Sequence, residues 1–150
     1  MLKRSDNEEV PNEITEPAGA GAIPVLLEFV SKHIWEAGFD DEKIRQINLA
    51  VEEALRNIVR FACCDGKGEI TITCNVHDSG AIIISITDTG TPFNMLISSS
   101  FPEAGDFAEP GQIPSTKIMK KVVGNIEYRR DASRNMLIFT ILRMVQKQCL

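Results

Sequence analysis

A glutamate and an asparagine one helical turn apart form the first group of residues that could do chemistry. Glu53 and Asn57 stand four positions apart in a segment of helical periodicity, so their side chains share one face. An amide oxygen is a hard ligand suited to Mg²⁺, and a carboxylate beside it can accept a proton from an attacking hydroxyl or water. The same spacing also fits a solvated glutamate and an asparagine near a helix end.

The second group is the sequence DTGTPF at residues 88–93, which directly follows an apolar segment. An aspartate at a strand end, such as Asp88, can accept hydrogen bonds from an exocyclic amine like that of adenine. Gly90 lets the backbone approach a ligand closely. Taken alone, these residues also fit a turn that ends a strand.

Two amphipathic helices are predicted to position Glu53 and Asn57. Apolar residues recur at spacings of three and four over residues 23–37, and Gly38 ends this helix. Asp40 is a good N-cap for a second helix over residues 41–62. Glu52 and Arg56 on that helix predict a surface ion pair.

Alternating and mostly apolar segments predict the strands. Residues 69–76 and 81–87 form a hairpin, and residues 125–130 and 136–143 form another. Residues 88–115 lose periodicity and predict a long functional loop, followed by a short helix over residues 116–123. This order predicts an α+β two-layer sandwich, with helices on one face of an antiparallel or mixed sheet.

Length and composition bound the remaining possibilities. The 150 residues predict a disordered or edge-strand N-terminus (1–19) and a single domain (20–150), with disorder at 1–7 and an edge strand near 10–15. The net charge of -5 and the lack of a basic stripe argue against nucleic-acid binding. Without an apolar run long enough for a membrane helix, the chain is expected to be cytoplasmic. The four cysteines and two histidines have no zinc spacing and are expected to be ordinary residues.

The order of the two motifs resembles that of the Bergerat-fold ATPases, which include gyrase-type, Hsp90-type, histidine-kinase and MutL-type nucleotide domains. VEEALRNIVRFA looks like their N-box and DTGTPF like their G1 box. A stand-alone domain of this length, with this order of elements over residues 20–145, resembles the anti-sigma factor serine/threonine kinases, which regulate transcription.

The resemblance implies roles for individual residues. Glu53 would be the general base acting on a serine of an anti-anti-sigma (STAS-type) protein, while the chain sequesters a sigma factor. Asn57 would coordinate the Mg²⁺ that bridges the phosphates of ATP, and Asp88 would hold the adenine amino group. The remaining nucleotide-binding positions implied are Gly90, Phe93, Ser115, Thr116 and Asn135. The family commonly forms homodimers, and the sequence leaves monomer and dimer open.

Three regions depart from the family's pattern. Its third, glycine-rich motif corresponds to GQIPSTK at residues 111–117, where Gly111 is the one glycine and Pro114 lacks an N–H donor. Phe61 stands where relatives often have histidine, and Arg134 stands where they often have glycine.

Three hypotheses follow for the function. The chain is an ATP-dependent serine kinase; or it is a catalytically degenerate partner-switching module of the same fold, with weak or no nucleotide binding; or it is an unrelated α/β sandwich. A pocket between the second helix and the loop before the third would argue against the last.

Overall fold

A computed structural model describes residues 11–98 and 114–143 of the chain. None of the helices in these ranges is long and apolar enough to cross a lipid bilayer. The elements follow in this order: β1 (Glu13–Pro17), α1 (Ala22–Glu36), α2 (Asp41–Asn57), a π-helical turn (Ile58–Ala62), β2 (Glu69–Val76), β3 (Ile82–Asp88), α3 (Met95–Ser98), α4 (Lys117–Val122), β4 (Asn125–Asp131) and β5 (Arg134–Ile141).

The two long helices form where the sequence predicts them. α1 buries Leu26, Val30 and Ile34 at four-residue spacing. α2 begins at its predicted N-cap, because the Asp40 carboxylate accepts a 2.8 Å hydrogen bond from the backbone N–H of Lys43. The apolar side chains of both helices face the sheet and form one core with it.

The described strands form one antiparallel sheet in the order β1-β2-β3-β5-β4. β3 lies at its centre and alternates buried with half-buried residues along its length. The buried side chains of β3 pack under the helices, and the opposite face of the sheet carries Thr71, Ser85 and Ile138. This arrangement confirms the predicted two-layer α+β sandwich.

The ends of several elements differ from their predicted positions. β1 pairs with β2 over Glu13–Pro17, later in the chain than the expected edge strand, whose first residue lies outside the described ranges. The second helix was expected to stay α-helical to residue 62, but its last five residues form the π-helical turn. Part of the segment expected to be a loop forms the short helix α3.

The last hairpin is also tighter than expected. Its turn consists of Ala132 and Ser133, and Ala132 adopts the left-handed region at φ 55°. Because β5 already begins at Arg134, Asn135 lies in a strand rather than in the turn. There it pairs with Arg130 on one side and with Asp88 on the other.

Two neighbouring isoleucines of β3 test which face of the sheet the helices cover. Ile84 is fully buried beneath the helices, whereas Ile83 lies half-buried on the opposite face. Ile84→Ala is expected to lower the free energy of unfolding by about 2–5 kcal/mol through lost contacts and the cavity left behind. Ile83→Ala is the matched control and should cost clearly less in urea denaturation. Equal losses would contradict a sheet covered on one face.

Candidate functional site

The Glu53 side chain is buried at the start of α4. One carboxylate oxygen accepts hydrogen bonds from the Ser115 hydroxyl at 2.7 Å and from the Ile118 N–H at 3.3 Å. The other oxygen accepts one from the Met119 N–H at 2.8 Å. These backbone donors belong to the first turn of α4 and have no partner within that helix. The carboxylate therefore acts as a side-chain cap that fastens α4 to α2.

Asn57 ends α2 and presents an amide to the same region. Its Nδ2 donates to the Ser115 carbonyl at 2.8 Å and contacts the Met95 sulfur at 3.5 Å. A carbonyl can only accept, so these contacts fix Nδ2 as the inward donor. The Oδ1 atom accepts no hydrogen bond from any described residue, and an amide oxygen is a hard ligand.

The Asn57 amide oxygen suits a cation that takes most of its ligands from a bound phosphate and from water rather than from the protein. In the described part of the chain, no group of three or more histidine, cysteine, aspartate or glutamate side chains could hold a metal. Mg²⁺ commonly takes only one or two ligands from the protein, usually carboxylates, with phosphate and water oxygens completing its shell, and an amide oxygen is also a hard ligand. The Asn57 amide oxygen fits that pattern.

Asp88, the last residue of β3, is 2% exposed. Its Oδ1 accepts hydrogen bonds from the Gly90 N–H at 2.8 Å and from Asn135 Nδ2 at 2.9 Å. Its Oδ2 accepts none from the described residues. Burial raises the pKa of the Asp88 carboxyl above its ordinary value, although the hydrogen bonds from Asn135 and Gly90 oppose this. One oxygen is thus fixed by the protein and the other can accept a further donor.

Asn135 holds Asp88 and the loop after it together. Its Nδ2 also donates to the Thr91 carbonyl at 2.8 Å, and its Oδ1 accepts from the Phe93 N–H at 3.1 Å and the Tyr128 hydroxyl at 2.6 Å. Both ends of the amide are therefore occupied by protein partners. Asn135, predicted to bind a nucleotide, is observed supporting Asp88.

Gly90 lies against the end of the π-helical turn. A Cβ atom on Gly90 would come within 2.3 Å of the Ala62 carbonyl oxygen and 2.9 Å of the Cys63 sulfur. The neighbouring Thr91 N–H donates to that same Ala62 carbonyl at 3.0 Å. The space that glycine creates, which the sequence suggested was for a ligand, is filled here by the chain's own backbone.

Two aromatic rings join the α2 side of the site to the Asp88 side. Phe61 in the π-helical turn stacks on Phe93, with ring centroids 5.5 Å apart and an interplanar angle of 24°. Phe61 is the residue that replaces the family's histidine. This departure from the family's pattern thus places an apolar ring contact at the position.

A groove of about 370 Å³ runs along the exposed side of α2. It is lined by residues of α2 and of the start of α4, beside the contact between them, and so lies where a pocket between the second helix and the loop was expected. The groove is lined by Leu49, Glu52, Glu53, Arg56, Asn57, Arg60, Phe61, Ser115 and Ile118.

The two arginines of this groove differ in their partners. Arg56 forms the predicted ion pair with Glu52, at 2.6 Å. Arg60 forms no ion pair with a described residue, and its guanidinium carbon lies 5.7 Å from the centre of the Phe61 ring. Sequence reasoning assigned no role to Arg60, although its position three residues after Asn57 could have indicated one.

The predicted phosphate-binding segment is described in part. Gly111 lies outside the described residues. Ser115 is exposed in the groove, and Thr116 is buried just before α4. The structure thus brings Ser115 to Glu53 and Asn57, and brings Asn135, Gly90 and Phe93 to Asp88.

Comparison with known proteins identifies the class. Residues 17–141 match the histidine kinase-like ATPase domain family, and the chain belongs to that family. Membership implies a nucleotide-binding fold and excludes an unrelated sandwich. No match was found among curated proteins.

Solved structures support the same fold. The structure of the RsbU and RsbW domains of Rv1364c from Mycobacterium tuberculosis has a TM-score of 0.59 and 16% identity, over 89% of this chain and 34% of that one. The histidine kinase domain of the Erythrobacter litoralis EL346 blue-light activated histidine kinase has a TM-score of 0.51 and 17% identity, over 81% of this chain and 61% of that one. The catalytic domain of histidine kinase ThkA has a TM-score of 0.52 and 15% identity, over 87% of this chain and 95% of that one. This chain spans less than two thirds of the first two structures.

Burial of Asp88 predicts a pH-dependent stability difference. Because its pKa is raised by folding, the stability it contributes is present below its unfolded-state pKa and lost as pH rises through the folded-state value. Asp88→Asn, which keeps an oxygen acceptor for Gly90 and Asn135, should therefore be more stable than wild type at neutral pH.

The advantage of Asp88→Asn should shrink as pH falls and the wild-type carboxyl takes up its proton. Chemical denaturation across that range measures the difference between the two proteins. Asp78→Asn, in the exposed turn between β2 and β3, controls for the loss of one negative charge. A variant less stable than wild type at neutral pH would contradict the assigned cost of burial.

Proposed function

We propose that the chain is an ATP- and Mg²⁺-dependent protein serine kinase of the anti-sigma factor type. Its substrate would be a serine on an anti-anti-sigma (STAS-type) partner, and it would also sequester a sigma factor. The observation that carries the proposal is one groove in which Glu53, Asn57 and Arg60 converge. The similar Rv1364c structure contains an RsbW domain, which suggests this type of kinase. A cytoplasmic location and a homodimer remain predictions.

Asp88 would select the base of the nucleotide. Its free Oδ2 can accept a hydrogen bond from the adenine amino group, while Asn135 and the Gly90 N–H hold the other oxygen in place. A guanine carries a carbonyl at the corresponding position and would bring two acceptors together. The site is therefore expected to prefer adenine nucleotides.

Asn57 and Arg60 would receive the phosphates. The Asn57 Oδ1 would hold Mg²⁺, which when bound neutralises phosphate charge and orients the transferred group. Arg60, with no carboxylate partner among the described residues, would add a second positive charge. Arg56 is less suited, because Glu52 already pairs with it.

Glu53 would accept the proton of the attacking serine. Its carboxylate already accepts a hydrogen bond from a serine hydroxyl at 2.7 Å, which is within the range required of a general base. That hydroxyl belongs to Ser115 of the chain itself. A partner's serine would therefore have to take the place of the Ser115 hydroxyl.

A second function is a binding module without catalysis. Two observations favour it: backbone N–H groups of α4 engage both oxygens of Glu53, and Pro114 supplies no N–H in the segment expected to wrap the phosphates. Partner exchange would then depend on protein contacts alone. Calorimetric titration with ATP and Mg²⁺ separates the two functions, because the module predicts no heat of binding.

Two variants separate nucleotide binding from phosphoryl transfer. Asp88→Asn should weaken ATP binding roughly 10- to 100-fold, the value of a hydrogen bond to a charged group. Glu53→Gln should leave ATP binding within about threefold, yet lower transfer of labelled phosphate to a STAS-type protein roughly 100- to 10,000-fold. Transfer of labelled phosphate by Glu53→Gln at the wild-type rate would contradict the assignment of Glu53 as the general base.

The two arginines provide a matched pair. Arg60→Ala should weaken ATP binding about tenfold or more while leaving adenosine binding unchanged, because it removes a charge that meets only the phosphates. Arg56→Ala, which removes an exposed residue already paired with Glu52, should change ATP affinity less than threefold. Equal effects of the two variants in parallel calorimetric titrations would argue against the role given to Arg60.

A further inference from the structure

Ser115 is held by both residues that define the proposed kinase site. Its hydroxyl donates to the Glu53 carboxylate at 2.7 Å, and its carbonyl accepts from Asn57 Nδ2 at 2.8 Å. The residue is nonetheless exposed and lines the groove beside Arg60. A hydroxyl within hydrogen-bonding distance of a carboxylate, next to a candidate metal ligand, is the arrangement of an activated nucleophile.

We propose that Ser115 is a phosphorylation site, modified by the kinase activity of its own chain. The proposal rests on the proposed function, since it requires bound ATP. The Ser115 Oγ would attack the γ-phosphorus and form a new Oγ–P bond. The bond from the γ-phosphorus to its bridging oxygen would break, and ADP would leave with that electron pair. The hydroxyl proton would pass to Glu53, giving phosphoserine and ADP.

The shape of the groove favours Ser115 over Thr116 as the residue that is phosphorylated. Thr116 is 5% exposed, whereas Ser115 opens into the space that also holds Asn57 and Arg60. Because base and nucleophile belong to the same chain and are already in contact, no second molecule has to dock. The reaction is therefore expected to be intramolecular.

Phosphorylation would also change the contact that holds α4. The product lacks the hydroxyl proton that Ser115 donates to Glu53, and it places a phosphate of charge near −2 beside that carboxylate. Repulsion between the two anions would weaken the attachment of α4 to α2. The modified chain would then differ from the unmodified one at the groove that a partner's serine must enter.

The test uses the purified full chain with [γ-³²P]ATP and Mg²⁺ and no partner protein. Label is expected on Ser115 by peptide mass spectrometry, with an initial rate per molecule that does not change with protein concentration. Ser115→Ala and Glu53→Gln should lose the label, and Ser115→Thr should keep part of it. Ser79→Ala, an exposed serine in the turn between β2 and β3, should label as wild type does.

Fluorescent ATP-analogue binding to the same preparations separates this proposal from the kinase assignment. A chain that binds ATP and phosphorylates a STAS-type protein, yet leaves Ser115 unmodified, would overturn self-modification alone. Failure to bind ATP would overturn both proposals. Undiminished label in Ser115→Ala would assign the modification to another residue, and a rate that rises with protein concentration would show transfer between molecules. Peptide mass spectrometry of the wild-type chain identifies the labelled residue even if one of the Ser115 variants does not fold.

Discussion

The contact between Gly90 and the backbone of Ala62 is the constraint on which the rest of the site depends. It joins the π-helical turn after α2 to the loop that follows β3, and any side chain at position 90 would collide with the Ala62 carbonyl. The Thr91 N–H bonds to that carbonyl, and Phe61 stacks on Phe93 beside it. Because of this junction, a helix face and a strand end that are separate in sequence form one continuous site.

On either side of the junction, a buried carboxylate is held by donors from another part of the chain. Asp88 is bonded by Asn135 of β5, and Glu53 is bonded by Ser115 and the first turn of α4. A buried carboxylate without such partners would cost considerable free energy. The two sites differ in one respect: Asp88 keeps one oxygen free of described partners, whereas both oxygens of Glu53 are occupied. The Asp88 carboxylate can therefore accept a further donor, whereas the Glu53 carboxylate is already engaged by the chain itself.

The fold could be predicted largely from local patterns, because helix and strand periodicity follow directly from burial on one face. The Asp40 cap, the Glu52–Arg56 pair and both ends of β2 were readable in this way. The π-helical turn was not, since its apolar pattern continues that of α2. Its carbonyl at Ala62 bonds instead to Thr91, and a sequence pattern does not reveal such a distant partner.

The same limit applies to the site. Glu53, Asn57 and Asp88 stand out because their motifs are short and local. The partners that set their chemistry are distant: Ser115 lies 62 residues from Glu53, and Asn135 lies 47 residues from Asp88. The resemblance implied that Asn135 contacts a nucleotide and that Gly90 leaves room for one, and both of these stay predictions. What the sequence did not reveal is that Asn135 also holds Asp88 and that Gly90 lies against the Ala62 backbone.

The proposed role of Glu53 as a base has to coexist with its observed role as a cap of α4. A carboxylate that also caps α4 can accept a proton from a substrate only by giving up or sharing a hydrogen bond that helps to fix this helix. Of its three bonds, the one from the Ser115 hydroxyl is the easiest to exchange, because an incoming serine hydroxyl replaces it in kind. The backbone bonds from Ile118 and Met119 can then persist and keep the carboxylate oriented. Glu53 can thus hold α4 against α2 and still accept a proton, provided that the incoming hydroxyl replaces only the hydroxyl of Ser115.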